Sequence, residues 1–132
     1  MGKIGVFVYN GFQEMEFWYP VLRLREVGGD VVVIGIEGGE AASSVLGYPV
    51  APNVAMAQAS PGDYAALIIP GGNVAKLTDN TAFRAFLREA ANKRVRIAAA
   101  SQAAPLAPEA LVARTTDDVP LWTRKLLEEL TR

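Results

Sequence analysis

Ala98-Ala-Ala-Ser-Gln-Ala-Ala104 ends the apolar run that begins at Val95 and leads into a segment with the composition of a short helix. A chain that turns sharply from a buried strand into a helix needs small side chains on both sides of the turn, and Ala99 and Ala103 flank Ser101 at the two crowded positions. The stretch predicts a strand-to-helix elbow that lifts the Ser101 hydroxyl clear of a parallel sheet. The start of the following helix favours negative charge there, through its orphan N–H groups and its dipole. A serine in this place also serves as an ordinary helix cap, because its oxygen satisfies one of those N–H groups.

Outward from the elbow, short apolar runs alternate with segments of helical period, the pattern of parallel strands joined by crossover helices. Ile4 to Tyr9 reads as the first strand. Gly11 turns the chain into a helix with Met15, Trp18 and Leu22 on one line and Phe17, Val21 and Leu24 beside it, stopped at Gly28-Gly29. Asp30 to Gly35 is a continuous apolar strand of the kind buried on both faces of a parallel sheet. Glu37 to Pro61 is rich in turn formers and reads as loop with a short strand near Tyr48 to Ala51. Tyr64 to Ile69 is the next buried strand, broken by Pro70-Gly71-Gly72. Phe83, Phe86, Leu87 and Ala90 mark a second amphipathic helix with Asp79, Asn80 or Thr81 as its cap. Leu111 to Arg114 is a last strand, and Trp122, Leu126 and Leu130 share one side of a closing helix opened by Asp117, Asp118 and Pro120. The whole is a doubly wound α/β architecture of the flavodoxin-like kind, a mostly parallel sheet with helices on both faces, in one domain over residues 1–132.

Composition removes several functional classes. The chain has 132 residues, 51% of them hydrophobic, enough to bury roughly two-thirds of the unfolded surface. A net charge of −1 from 13 basic and 14 acidic residues, with the basic ones scattered, leaves no footprint for nucleic acid or an anionic membrane. With no cysteine and no histidine, thiolate and imidazole metal sites are excluded, and no metal or cofactor is expected. No run approaches the roughly twenty apolar residues of a membrane helix, and the apolar N-terminal stretch is too short for a signal sequence. A cytoplasmic protein is the expectation. A nucleotide-binding role is remote, since no Gly-x-Gly-x-x-Gly follows the first strand and no P-loop lysine occurs.

The order of the elements and three local motifs resemble the ThiJ/PfpI superfamily, the glutamine-amidotransferase-like proteins that include the parkinsonism-associated deglycase and small intracellular peptidases. Gly11-Phe-Gln-Glu-Met-Glu16 looks like the family's glycine-led turn ending in a glutamate near the nucleophile, and Glu16 takes that place. Asp63 to Gly72 is similar to the strand and double-glycine turn whose second glycine donates an oxyanion-hole N–H, which maps to Gly72. Arg96 to Ala103 is similar to the nucleophile segment, with Ser101 where the family carries cysteine and Gln102 next to it. Ser44 to Pro52 resembles the family's connecting segment, so the likeness covers nearly the whole chain.

The resemblance implies Ser101 and Glu16 as catalytic residues and the N–H groups of Gly72 and Gln102 as an oxyanion hole. Two departures weigh against full activity. A hydroxyl lacks the lowered pKa that an elbow gives a thiol, and a serine without an imidazole to take its proton is a weak nucleophile. The chain is also shortened after Ala107, where many members supply a histidine. Each residue has a plainer role as well. Glu16 suits the first turn of a helix by charge alone, although Pro20 cannot return a hydrogen bond to its carbonyl. Pro70-Gly71-Gly72 suits a tight turn with positive φ, or a backbone nest for an anion.

Three readings follow. In the preferred one, the protein has an atypical, impaired catalytic site and acts as a small-molecule-binding or stress-related protein. In the second, it is a glyoxalase, deglycase or hydrolase acting on small carbonyl compounds through Ser101 and Glu16. In the third, it is a cysteine enzyme whose nucleophile has been replaced by serine. The family usually dimerises, and the three adjacent rings Phe17-Trp18-Tyr19 exceed what one buried stripe needs, so a homodimer is expected.

Overall fold

Asp30-Val-Val-Val-Ile-Gly35, rich in β-branched side chains, forms strand β2 (Asp30–Gly35), paired in parallel along its whole length with β1 (Lys3–Val8). The other edge of β1 pairs with β6 (Ala66–Ile69), also in parallel, from Ile4 opposite Ala66 onward. Around these lie β5 (Val54–Ala55), β7 (Arg96–Ala100) and β8 (Leu111–Ala113), giving a six-stranded sheet in the order β5-β2-β1-β6-β7-β8. All its pairings are parallel. A separate antiparallel hairpin joins β3 (Ala42–Ser43) to β4 (Pro49–Val50). These elements come from a computed structural model that describes residues 1–132.

The chain steps from β1 outward to β2, then returns across β1 to β6. The strand order therefore reverses between β1 and β6, and in such sheets ligands bind beyond the carboxyl ends of the strands at that reversal. Right-handed crossovers then assign the layers. Helix α1 (Glu14–Glu26) and the closing helix α4 (Val119–Leu130) pack together on one face, and α3 (Thr81–Asn92) lies on the other. A single-turn helix α2 (Ala75–Thr78) precedes α3. No helix is long and apolar enough to cross a membrane.

The core is one cluster of 36 buried hydrophobic residues, running through the central strands and the inner faces of the helices. Phe7 on β1 meets Phe83 and Phe86 on α3 edge-on, with centroids 5.2 and 5.8 Å apart, and so locks the central strand to that helix. Such pairs contribute about 1 kcal/mol each beyond the area they bury. Asn80 caps α3 by accepting the Phe83 N–H at 2.9 Å. Trp122 on α4 donates its indole N–H to the Leu111 carbonyl at 2.9 Å, tying the closing helix to β8.

The short helix expected after the elbow is present, as a 3₁₀ helix over Ser101–Leu106. Pro105 inside it lacks the N–H that an α-helical ladder would use. The stretch from Glu37 to Pro61 holds more order than a loop: the expected short strand is β4, its partner is β3, and Val54–Ala55 joins the main sheet beside β2. Of the two apolar lines on α1, Phe17, Val21 and Leu24 are buried, while Met15, Trp18 and Leu22 face outward.

Candidate functional site

The carboxyl ends of β1, β6 and β7 bring three turns together, and Glu16 sits where they meet. Its side chain is only 1% exposed, at the first turn of α1, where Gln13 caps the helix by accepting the Glu16 N–H at 2.8 Å. Burying a carboxylate is costly unless its oxygens are bonded, and here both are. Oε1 accepts the Gly71 N–H at 2.8 Å. Oε2 accepts the hydroxyls of Ser101, at 2.6 Å, and Thr116, at 2.9 Å. One carboxylate thus gathers α1, the turn after β6, the elbow after β7 and the segment between β8 and α4.

Ser101 has φ of 49°, in the left-handed region that residues with a side chain seldom occupy. Such a conformation costs of order 1–3 kcal/mol and persists only when its surroundings enforce it. The bond to Glu16 and the small neighbours Ala100 and Ala103, both buried, do so here. The expected elbow is present, and its hydroxyl points at a carboxylate.

Gly72 and Gln102 are also together, in a particular way. The Gln102 side-chain oxygen accepts the Gly72 N–H at 3.0 Å, so that donor is engaged by the protein itself. The backbone N–H of Gln102 lies in the first turn of the 3₁₀ helix, where such groups lack partners within the helix. Gly72 has φ of 117°, and a Cβ there would run into the Gly11 carbonyl oxygen. At Gly71 a Cβ would stand 2.6 Å from the Gln102 side-chain oxygen, 2.7 Å from Glu16 Oε1 and 2.8 Å from the Ala100 carbonyl. Both glycines are thus required sterically, Gly71 so that its N–H reaches Glu16.

Three participants were not anticipated. Thr116 follows β8, and its one sequence signal is a general one: residues that follow parallel strands share one edge of the sheet. Gly71 was passed over for its neighbour. Tyr9, at the end of β1, places its buried hydroxyl 2.8 Å from the carbonyl oxygens of both Pro70 and Gly71. Burial, and secondarily the charge of Glu16, push the Tyr9 phenol above its usual range, so it remains a neutral donor that braces the glycine turn. No group of three or more acidic residues is placed to hold a metal ion.

The profile of the DJ-1/PfpI family matches residues 2–126. The chain belongs to that family. A functionally uncharacterised protein of Staphylococcus aureus is 36% identical over 70 residues, covering 53% of this chain and 41% of that protein. An uncharacterised protein of Staphylococcus saprophyticus is 34% identical over the same length and shares. The matched stretch is therefore less than half of each relative. Among solved structures, a DJ-1 superfamily protein of Salmonella typhimurium, crystallised as a cysteine-to-alanine mutant, superposes with a TM-score of 0.91 at 18% identity, covering 99% of this chain and 91% of that one. Drosophila melanogaster DJ-1beta gives 0.75 at 26% identity over 80% of this chain and 57% of its own. The first of these is a likeness of fold alone.

Proposed function

We propose that this protein uses the DJ-1/PfpI crevice to bind a small carbonyl compound, with a catalytic site that is impaired. The observation that carries the reading is the Gly72 N–H already bonded to Gln102 at 3.0 Å. An oxyanion hole stabilises a transition state only if its donors are aimed at the developing charge, and here one of the two must first be released. No histidine anywhere in the chain can take and return the proton of Ser101. A ligand carbonyl resting beside Ser101 would be held by the Gln102 N–H, since the one Ser101 proton is donated to Glu16. A cytoplasmic setting accords with this reading.

A second reading has its own support. The 2.6 Å bond from Ser101 to the Glu16 carboxylate, on a strained elbow, is the arrangement of a nucleophile and a base. In it, Ser101 Oγ attacks the carbonyl carbon, its proton passes to Glu16 Oε2, and Gln102 swings aside so that Gly72 can hold the oxyanion. Methylglyoxal consumption by the protein, beside Ser101→Ala and Ser101→Cys, separates the readings. Impaired catalysis predicts that the parent consumes it no faster than Ser101→Ala, with no covalent adduct by intact mass. Turnover that Ser101→Ala loses supports the second reading. Turnover by Ser101→Cys alone marks an otherwise sound site lacking its thiol.

The same proposal includes a homodimer. Met15, Trp18 and Leu22 on α1 are exposed, and so are Val45, Leu46 and Tyr48 in the β3–β4 hairpin. The two groups adjoin, since Glu14 accepts the Leu46 N–H at 3.0 Å. Exposed apolar side chains grouped in this way suit an interaction site. Sedimentation should give a dimer that Trp18→Glu dissociates, and a monomer at all concentrations would remove this part.

A further inference from the structure

Parallel neighbours are usually joined by a dozen or more residues that include a helix lying across the sheet. Residues 101–110 alone join β7 to β8, and their 3₁₀ helix covers little of the sheet. What remains is a groove of about 930 Å³ between α3 on one side and residues 105–110 on the other, within the range of small-molecule sites. α3 lines it from Arg84 to Ala91, which gives it a wall about 12 Å long. Leu87, Ile97 and Leu106 contribute apolar lining.

Its rim carries positive charge that the protein does not neutralise. Arg84, Arg88 and Arg94 line the groove, are exposed, and take part in none of the protein's ion pairs. Arg96 also lines it but is committed, bonded to Glu129 at 2.7 and 3.2 Å and to the Glu109 carbonyl. Glu109 is the one carboxylate in the lining, and it is exposed. Two local choices oppose folding convenience. Arg84 and Arg88 stand one turn apart on α3, where like charges repel. Arg94 takes φ of 61° at the helix end, a place where glycine is the usual occupant. Both choices put guanidinium groups on the same groove.

We propose that this groove binds an amphiphilic oxyanion: a carboxylate or phosphate head on an apolar chain or ring. Arginine's planar fork receives either head in bidentate fashion, while Leu87, Ile97 and Leu106 cover the apolar part. The inference is independent of the chemistry at Ser101. Its test is titration calorimetry of the full chain with octanoate, octyl phosphate, octanol and inorganic phosphate. One of the two charged amphiphiles should bind at least tenfold more tightly than octanol and than inorganic phosphate, and the tighter of the two identifies the head group. Arg84→Gln with Arg88→Gln should weaken that binding at least tenfold with the melting temperature unchanged, and Leu106→Asp should weaken it as well. Octanol binding as tightly, unaltered affinity in the double arginine variant, or no binding by either charged amphiphile overturns the proposal. A dimer that Leu106→Asp splits overturns it too, because a second copy would then fill the groove.

Discussion

The crevice around Glu16 and the groove beside α3 lie on the same sheet and treat polar groups in opposite ways. In the crevice the buried polar side chains are all bonded within the protein: Glu16 has three donors and Tyr9 braces the turn, while the Gly72 N–H is bonded to Gln102. In the groove three arginines have no ionic partner. A network of internal bonds holds the fold together, and a ligand that needs the Gly72 N–H must first displace Gln102. An unsaturated rim contributes little to the fold and leaves its charges to whatever arrives. Stability should therefore be sensitive in the first region and indifferent in the second.

The largest effect should come from Glu16→Ala, which strands a buried N–H and two hydroxyls at once and should cost about 3 kcal/mol in urea unfolding. A loss under 0.5 kcal/mol would mean that the network is ornamental and would dissolve the contrast. Gly71→Ala comes next. Its methyl meets three oxygens, and the relaxation should cost about 2 kcal/mol, read as a lowered melting temperature. If the variant melts with the parent, the crevice is looser than its distances imply.

These two positions show how far the sequence could be read. Ser101 and Glu16 are 85 positions apart, yet the sequence pointed to both, because the elbow has a local signature in Ala99 and Ala103 and the resemblance of Gly11 to Glu16 to the family's turn implied the glutamate. The positions of the main strands along the chain were readable for the same reason, since buried parallel strands announce themselves as uninterrupted apolar runs. Thr116 has no such signature. A threonine among exposed polar residues looks like any loop residue until the sheet brings it to Glu16. The tiny strands β3 and β5 were hidden because two residues carry no period, and their pairing depends on neighbours supplied by the fold. Nor does composition say whether Gly72 keeps its N–H open; that depends on the rotamer of Gln102.

A third experiment sharpens the comparison at the border of the groove. The hydrogen bond from Arg96 holds the Glu129 carboxyl below its ordinary value of 4.5. A lowered folded-state pKa means that the pair stabilises the protein above that ordinary value, and that the contribution is lost as pH falls through the lowered one. Both side chains are about one-third exposed, so the contribution at neutral pH should stay under about 1 kcal/mol. Glu129→Gln should remove it, flatten the acid limb of stability against pH, and free Arg96 as a fourth available arginine. An unchanged acid limb would show that the pair contributes nothing. The smallest effect belongs to Arg84→Gln with Arg88→Gln, which should change unfolding free energy by less than about 0.5 kcal/mol. A loss above 1 kcal/mol would mean that these arginines serve the fold after all.

The sheet ends at both sides on very short strands, two residues in β5 and three in β8. Long exposed strand edges are templates on which further chains add and from which aggregates grow. This protein offers only stubs, so sheet-to-sheet extension has little to build on at either margin. The proposed self-association would then fall to side chains on α1 and the hairpin, where Trp18→Glu should undo it. The brevity of two marginal strands thereby favours a finite assembly over an open-ended one.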